Sequence, residues 1–197
     1  MAEIWFRPLV WTDYRLAILF IVFLPLLLLV WSTINRAEAI QRLLIIYWRV
    51  ASLLMITVYL MIPGWSTGFL TSWAARLLIP ISLWFWADLN DEIMDAPKSS
   101  LKLLFTSWRW AVTVYSLLGV ATTTVFLSCA FSAGAVETDF CRVWFEAPWL
   151  YKAWFHHGSP PGFLGFLGAT GLCAYIIYFL YFLLVRLVKQ GRSAMEQ

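Results

Sequence analysis

The hydrophobic residues of the chain fall into five long stretches, over residues 16–34, 43–62, 68–86, 103–128 and 162–185. Each stretch is long enough to cross roughly 30 Å of hydrocarbon as a helix. Backbone polar groups in lipid must find hydrogen-bond partners within their own segment, so helices are the expected spanning structure. The pattern therefore predicts an all-α fold, an integral membrane bundle of about five transmembrane helices that forms a single transmembrane domain over residues 1–197.

The polar segments between these stretches support the assignment. Pro63-Gly64 predicts a tight turn, residues 88–102 are the most polar part of the chain, and residues 131–161 form a long connector. Within that connector, the aromatic segment 146–157 predicts a short helix lying in the outer membrane interface. Pro25 and Pro80 lie inside spans and predict kinks.

The distribution of basic residues predicts the orientation. With the N-terminus on the lumenal (outer) side and the C-terminus in the cytoplasm, Lys and Arg are more numerous on the cytoplasmic side. The cytoplasmic residues are Arg36, Arg42, Lys98, Lys102, Arg186, Lys189 and Arg192, against Arg7, Arg15, Arg142 and Lys152 outside. This orientation makes residues 131–161 an outer connector.

The amino-acid composition also indicates an integral membrane protein. Hydrophobic residues make up 62% of 197 positions, charged residues 13%, and the mean hydropathy is +0.77, which is typical of an integral membrane protein in contact with lipid. A net charge of +3 is too small to indicate nucleic acid as a partner.

Four acidic residues, Asp88, Asp91, Glu92 and Asp95, follow the third stretch at spacings i, i+3, i+4 and i+7. If the third helix continues past the membrane, all four share one face. Two interpretations remain open at this point. The face could dock a basic surface of a partner protein, or it could be a solvated helix end whose acids pair with Lys98, Lys102 or Arg109.

Arg49 and Arg76 lie about two helical turns inside predicted spans, where an unpaired charge is costly. No Asp or Glu is expected at that depth, which argues against a proton or cation transporter. Carbonyls, a partner protein, or the hydroxyls of Thr113, Ser116 and residues 122–124 would have to satisfy the arginines. We expect at least one of them to face protein rather than lipid. Arg109 lies nearer a helix end and can snorkel.

Cys129 and Cys141 lie 12 positions apart on the outer side, and Cys173 lies deep in the fifth span. An oxidising compartment favours a Cys129–Cys141 disulfide over two free thiols, with Cys173 free. His156 and His157 are adjacent, so they cannot readily chelate one ion, and no metal site is expected. Either one could ligate the magnesium of a chlorophyll, or both could be ordinary loop histidines.

The chain lacks HExxH, GxSxG, a Gly-rich phosphate loop and paired carboxylates within the membrane. We therefore expect that it is not an enzyme.

Several blocks of sequence resemble one family. They are WFRPLVWTDYRLAILF (5–20), AEAIQRLLIIYWRVASLLMITVYLM (37–61), ARLLIPISLWFWADLNDEI, LSCAFS, EAPW, PGFLGFLG and VRLVKQGRS. They are similar to blocks of a cyanobacterial family of multi-pass membrane proteins of unassigned function. The resemblance implies a thylakoid protein with an auxiliary role around a photosynthetic complex, most plausibly photosystem II. It brings no catalytic residues.

These observations support three hypotheses. The leading one is a non-catalytic assembly or auxiliary factor that binds an integral membrane protein, a photosystem subunit, through Asp88, Asp91, Glu92, Asp95, Arg49 and Arg76. The second is a pigment- or lipid-binding subunit, with chlorophyll or carotenoid as the cofactor left open. The third is a small transporter.

Overall fold

The structure, a computed structural model, describes residues 4–132 and 134–194. Seven helices of nine residues or more build it: α1 (Arg7–Ile34), α2 (Glu38–Met61), α3 (Thr67–Trp84), α4 (Ala87–Asp95), α5 (Ser100–Phe131), α6 (Glu146–Phe155) and α7 (Pro161–Lys189). No described residue lies in a β-strand. The predicted all-α fold is confirmed.

Four of these helices, α1, α2, α5 and α7, are each long and apolar enough to cross a membrane. Helices α3 and α4 pass the same test only as a pair, and they meet at a bend of 56°. The chain is therefore a membrane protein with four candidate spans, or five if the bent pair crosses as one. Helix α1 begins at Arg7, nine residues before the predicted start of the first span, so Asp13 belongs to that helix.

Helix α2 lies at the centre of the bundle and contacts α1, α3 and α7, while α5 packs against α3 and α1. The core between them is formed by fully buried residues, among them Leu43, Leu44, Tyr47, Ile79 and Phe105. Two ends of the bundle can be distinguished. The α4 end carries α4 and residues 191–194, and the connector end carries residues 134–161 and the start of α1.

The proline in α1 explains a local change of helix geometry. Residues Ile18–Phe23, just before Pro25, form a π-helical segment. Because proline has no N–H and the π turn shifts the pairing, the carbonyls of Phe20 and Ile21 lose their usual partners in the helix. The Trp108 indole N–H donates to the Phe20 carbonyl and the Tyr47 hydroxyl donates to the Ile21 carbonyl, each at 2.8 Å. Side chains of α5 and α2 thus satisfy the backbone that α1 cannot satisfy itself.

Glycines bring α7 close to α2. A Cβ placed at Gly168 would lie 3.0 Å from the backbone nitrogen of Leu60, and one at Gly165 would lie 2.6 Å from the Pro63 ring. The buried residues of α7 between Pro161 and Tyr181 are Leu164, Gly165 and Gly168. The side of α7 that carries Gly165 and Gly168 therefore packs against other parts of the same chain, as small residues commonly do between membrane helices.

Candidate functional site

Arg76 of α3 is buried at the interface of α1, α3 and α5. Its guanidinium forms an ion pair with both carboxylate oxygens of Asp13, one of them through Nη1 at 3.0 Å. The Tyr115 hydroxyl donates to the same carboxylate at 2.8 Å, and the Arg76 guanidinium lies 5.5 Å from the centre of the Tyr115 ring. Gly119 leaves the space that the guanidinium occupies, since a Cβ there would collide with Nη1. This arrangement joins α1 to α3 by an ion pair and α5 to both by a hydrogen bond from Tyr115.

The buried pair corrects three predictions. The acceptor for Arg76 is Asp13, not the hydroxyls of Thr113, Ser116 or residues 122–124, because α1 begins early enough to carry an acid alongside α3. A candidate span therefore does contain an acid, and the argument against a proton or cation transporter that relied on uncharged spans does not hold. Arg76 is enclosed by its own chain, so it is also wrong as a partner-binding residue. The expectation that at least one arginine faces protein is confirmed.

Arg109 is buried as well and does not snorkel. Its guanidinium lies 4.0 Å from the centre of the Trp84 ring and donates to the Asn90 side-chain oxygen. The Trp84 indole N–H in turn donates to the Thr113 hydroxyl at 2.9 Å. These contacts hold α5 against the corner where α3 ends and α4 begins.

Helix α4 carries the predicted acidic face, but on a separate helix that starts after the 56° bend rather than on a continuation of α3. Leu89 and Ile93 are buried beneath it. Asp91, Glu92 and Asp95 are exposed, and no Lys or Arg lies within ion-pair distance of them among the described residues. The alternative pairing with basic neighbours is not observed. Lys102 instead donates to the carbonyls of Met94 and Ala96, both at 2.6 Å.

Asp88 differs from the other three acids because it binds the C-terminal residues. Its carboxylate accepts hydrogen bonds from the Ser193 hydroxyl at 3.0 Å and from the Ala194 N–H at 2.7 Å. The Arg192 side chain donates to the Phe85 carbonyl at 2.8 Å, which fixes the same segment. The carboxylate of Asp88 is thus engaged within the chain, and its role as a partner contact stays a prediction.

Arg49 lies on the surface of α2, and its guanidinium donates to the Tyr178 hydroxyl of α7 at 3.2 Å. It lines a groove between α2, α3 and α7 at the α4 end, together with Arg42 and Arg186. Arg49 was predicted as a site residue from the sequence, whereas Arg42 and Arg186 were not. Arg42 and Arg49 are seven residues apart on one helix, which is the spacing that places side chains on the same face.

The described part of the connector, residues 134–161, forms a cap at the connector end. The Cys129–Cys141 disulfide is present, with 5.9 Å between the Cα atoms, while Cys173 is a free thiol on α7. Both bridged cysteines are buried in a cluster with Val10, Trp144 and Phe145. Glu146 accepts from Arg7 at 2.9 Å and from the Trp11 indole at 2.8 Å, which ties the cap to α1.

The two histidines follow the predicted interfacial helix α6. The Nε2 atom of His156 lies 2.8 Å from the Tyr59 hydroxyl, whereas His157 is exposed. Partial burial and hydrogen bonding with Tyr59 raise the pKa of the neighbouring Tyr151 to about 12. A pigment could reach Nε2 of His156 only by displacing Tyr59. No group of three or more His, Cys, Asp or Glu residues that could hold a metal occurs within residues 4–132 and 134–194.

Comparison with known proteins identifies a family but not an activity. Residues 7–195 match the family described as a protein of unknown function (DUF3177), and because the match covers nearly the whole chain, the chain belongs to it. No curated protein and no solved structure matches the chain.

Proposed function

We propose that this member of the DUF3177 family is a non-catalytic auxiliary protein of the cyanobacterial thylakoid membrane that acts in the assembly of photosystem II. The observation that carries the proposal is the acidic face of α4, formed by Asp91, Glu92 and Asp95. Buried Leu89 and Ile93 anchor α4, and Asp88 fixes it to the C-terminal residues, so the three carboxylates are held on a rigid surface. Rigid, unpaired carboxylates are suited to a basic partner surface.

The thylakoid location and the photosystem partner rest on the sequence blocks described above. In the proposed orientation the α4 end is cytoplasmic, so the partner would present its basic residues on the cytoplasmic side. Membrane proteins commonly carry an excess of Lys and Arg there, which makes an acidic docking face complementary to them.

Co-purification tests this proposal. Affinity-tagged protein expressed at native abundance in a cyanobacterium is solubilised in mild detergent, and the proteins that accompany it are identified by mass spectrometry. We expect photosystem II subunits, and we expect Asp91→Asn with Asp95→Asn to weaken their recovery severalfold. The matched control is Glu137→Gln with Asp139→Asn, which removes two exposed acids from the connector end. A chain that purifies without photosystem subunits, or equal loss in both variants, would contradict the proposal.

Site-specific labelling tests the orientation. In sealed vesicles and a Cys173→Ala background, we expect a thiol at Lys98→Cys to react from the cytoplasmic side and a thiol at Gly158→Cys to react from the lumenal side. Lys98 is exposed, and a Cβ at Gly158 meets no atom within 4 Å, so neither change should disturb the fold. Reaction of both thiols from the same side would refute the arrangement.

A pigment-binding subunit is the second candidate, and the aromatic groove between α2, α3 and α7 is the observation that favours it. Tyr175, Tyr178, Phe179 and Phe182 line that groove. The absorption spectrum of the purified protein separates the two candidates, because chlorophyll or carotenoid in stoichiometric amount would favour the pigment-binding role.

A further inference from the structure

The groove at the α4 end has the size and shape of a ligand site. Its volume is about 540 Å³, and much of its wall is apolar, with Val50, Leu78, Ile81 and Phe182 among the lining residues. Ligand sites in proteins typically enclose ~300–1,000 Å³. A second, more open depression of about 450 Å³ shares Arg49, Tyr175 and Tyr178 with it and reaches Ile56, towards the connector end of α2. The two depressions follow one another along α2 and α7.

The packing of α7 explains why the groove forms there. Over Gly165 and Gly168 the helix approaches α2 closely, because no side chain separates the two backbones. Towards the α4 end, Tyr178 and Phe182 replace glycine on the side that faces the groove. Aromatic side chains keep helix axes further apart than glycine does, so a cavity opens between the same two helices.

Basic side chains line the α4 end of this apolar groove. Arg42 and Arg49 lie on one face of α2, separated by ~10 Å along the helix axis, and Arg186 contributes from α7. Among the described residues, no Asp or Glu lines the groove, and Glu38 pairs with Arg42 at 3.3 Å at its rim. Arg49 is exposed and donates to a neutral hydroxyl, that of Tyr178, so it brings a positive charge into the groove.

We propose that this groove binds one anionic phospholipid of the membrane. The acyl chains would lie along Val50, Leu78 and the aromatic residues of α7, and the phosphodiester would lie between Arg42 and Arg49. A guanidinium offers paired donors to phosphate oxygens, and basic pockets between membrane helices bind anionic headgroups. Arg49 lies about two turns further along α2 than Arg42, and its hydrogen bond to Tyr178 directs its guanidinium towards α7.

The charge pattern selects this occupant over other apolar molecules. An arginine beside hydrocarbon is costly unless its charge is compensated, and an anionic headgroup supplies that compensation where a neutral lipid does not. The inference does not depend on the proposed photosystem partner, because the site is complete within the chain.

Native mass spectrometry of the detergent-purified protein tests the proposal. The protein is incubated with equal concentrations of phosphatidylglycerol and phosphatidylcholine that carry identical acyl chains. We expect one phosphatidylglycerol per chain to be retained, with a preference of about tenfold, the effect of one charge-assisted hydrogen bond. Arg42→Gln with Arg49→Gln should abolish the preference, and Arg49→Lys in place of Arg49→Gln should restore part of it.

Two further variants separate a lipid site from a general charge effect. Arg36→Gln removes an exposed arginine that does not line the groove and should keep the full preference. Val50→Trp fills the groove and should reduce the binding of both lipids while the charge is unchanged. Equal retention of the two lipids by the wild type, or an undiminished preference in the Arg42→Gln, Arg49→Gln protein, would overturn the proposal.

Competition experiments distinguish a phospholipid from a free anion or a pigment as the occupant of the groove. Glycerol phosphate should not displace the lipid, because it lacks acyl chains, and equal competition by it would identify an anion site instead. A pigment that is released by Val50→Trp and is not displaced by phosphatidylglycerol would also overturn the proposal. Helical content by circular dichroism and elution as a single species confirm that each variant is folded before lipid binding is scored.

Discussion

The ion pair between Asp13 and Arg76 is expected to be a major determinant of stability. The two side chains are 20% and 5% exposed, so removal of one partner leaves a nearly buried charge without compensation. Breaking a buried pair in this way costs about 3–5 kcal/mol. Arg76→Leu and Asp13→Leu should each lower the free energy of unfolding by about this amount.

An exposed ion pair and a double variant serve as controls for the stability lost in the single variants. Arg42→Leu breaks the ion pair with Glu38, whose side chains are 50% and 72% exposed, and it should cost no more than about 0.5 kcal/mol. The double variant Asp13→Leu, Arg76→Leu removes both charges together. Since neither charge is then left alone in a buried site, it should be more stable than either single variant.

Unfolding by denaturant in mixed micelles, followed by circular dichroism, measures all four proteins under one condition. Proper folding is checked beforehand by elution as a single species. If Arg76→Leu unfolds at the same denaturant concentration as Arg42→Leu, or if the double variant loses the sum of the two single losses, then the pair does not join α1 to α3 as described.

Three other changes have expected outcomes in the same unfolding assay. Tyr47→Phe removes the hydroxyl that satisfies a carbonyl of the π-helical segment and should cost about 1–3 kcal/mol; an unchanged midpoint would show that the carbonyl finds another donor. Gly168→Ala should cost about 1–3 kcal/mol because its Cβ meets the backbone of α2, whereas Gly162→Ala should be neutral, since no atom lies within 4 Å. Reduction of the Cys129–Cys141 disulfide should lower stability by about 3 kcal/mol, and free thiols detected by alkylation without reductant would contradict its presence in the native protein.

The hydrophobic pattern predicted the helices well and their ends less well. The start of the first span was placed at Leu16 because Arg7, Asp13 and Arg15 make residues 7–15 polar. In the structure α1 begins at Arg7, and the charge of Asp13 is compensated by Arg76, a residue 63 positions later in the chain. Hydropathy averages count such an acid as exposed, because they contain no information on its partner.

For the acidic helix α4, the sequence showed which residues share a face but not which of them bind other parts of the chain. The spacing of Asp88, Asp91, Glu92 and Asp95 on one helix was visible in the sequence, and α4 carries all four. The spacing did not reveal the 56° bend before α4. The engagement of Asp88 by Ala194 is a contact between residues 106 positions apart. No local pattern distinguishes Asp88 from its three neighbours.

The sequence by itself determined the membrane class and the helical fold, because these depend on apolar length and on backbone hydrogen bonding. It favoured a bridge between Cys129 and Cys141 over two free thiols, and the structure contains that bridge. Only the tertiary structure decided which charges compensate each other and where a ligand could bind. The pairing of Asp13 with Arg76, and the groove that collects Arg42, Arg49 and Arg186, arise from the packing of helices that are distant in sequence. The energy of a buried charge depends on its nearest atoms, and those are set by how the helices pack against one another.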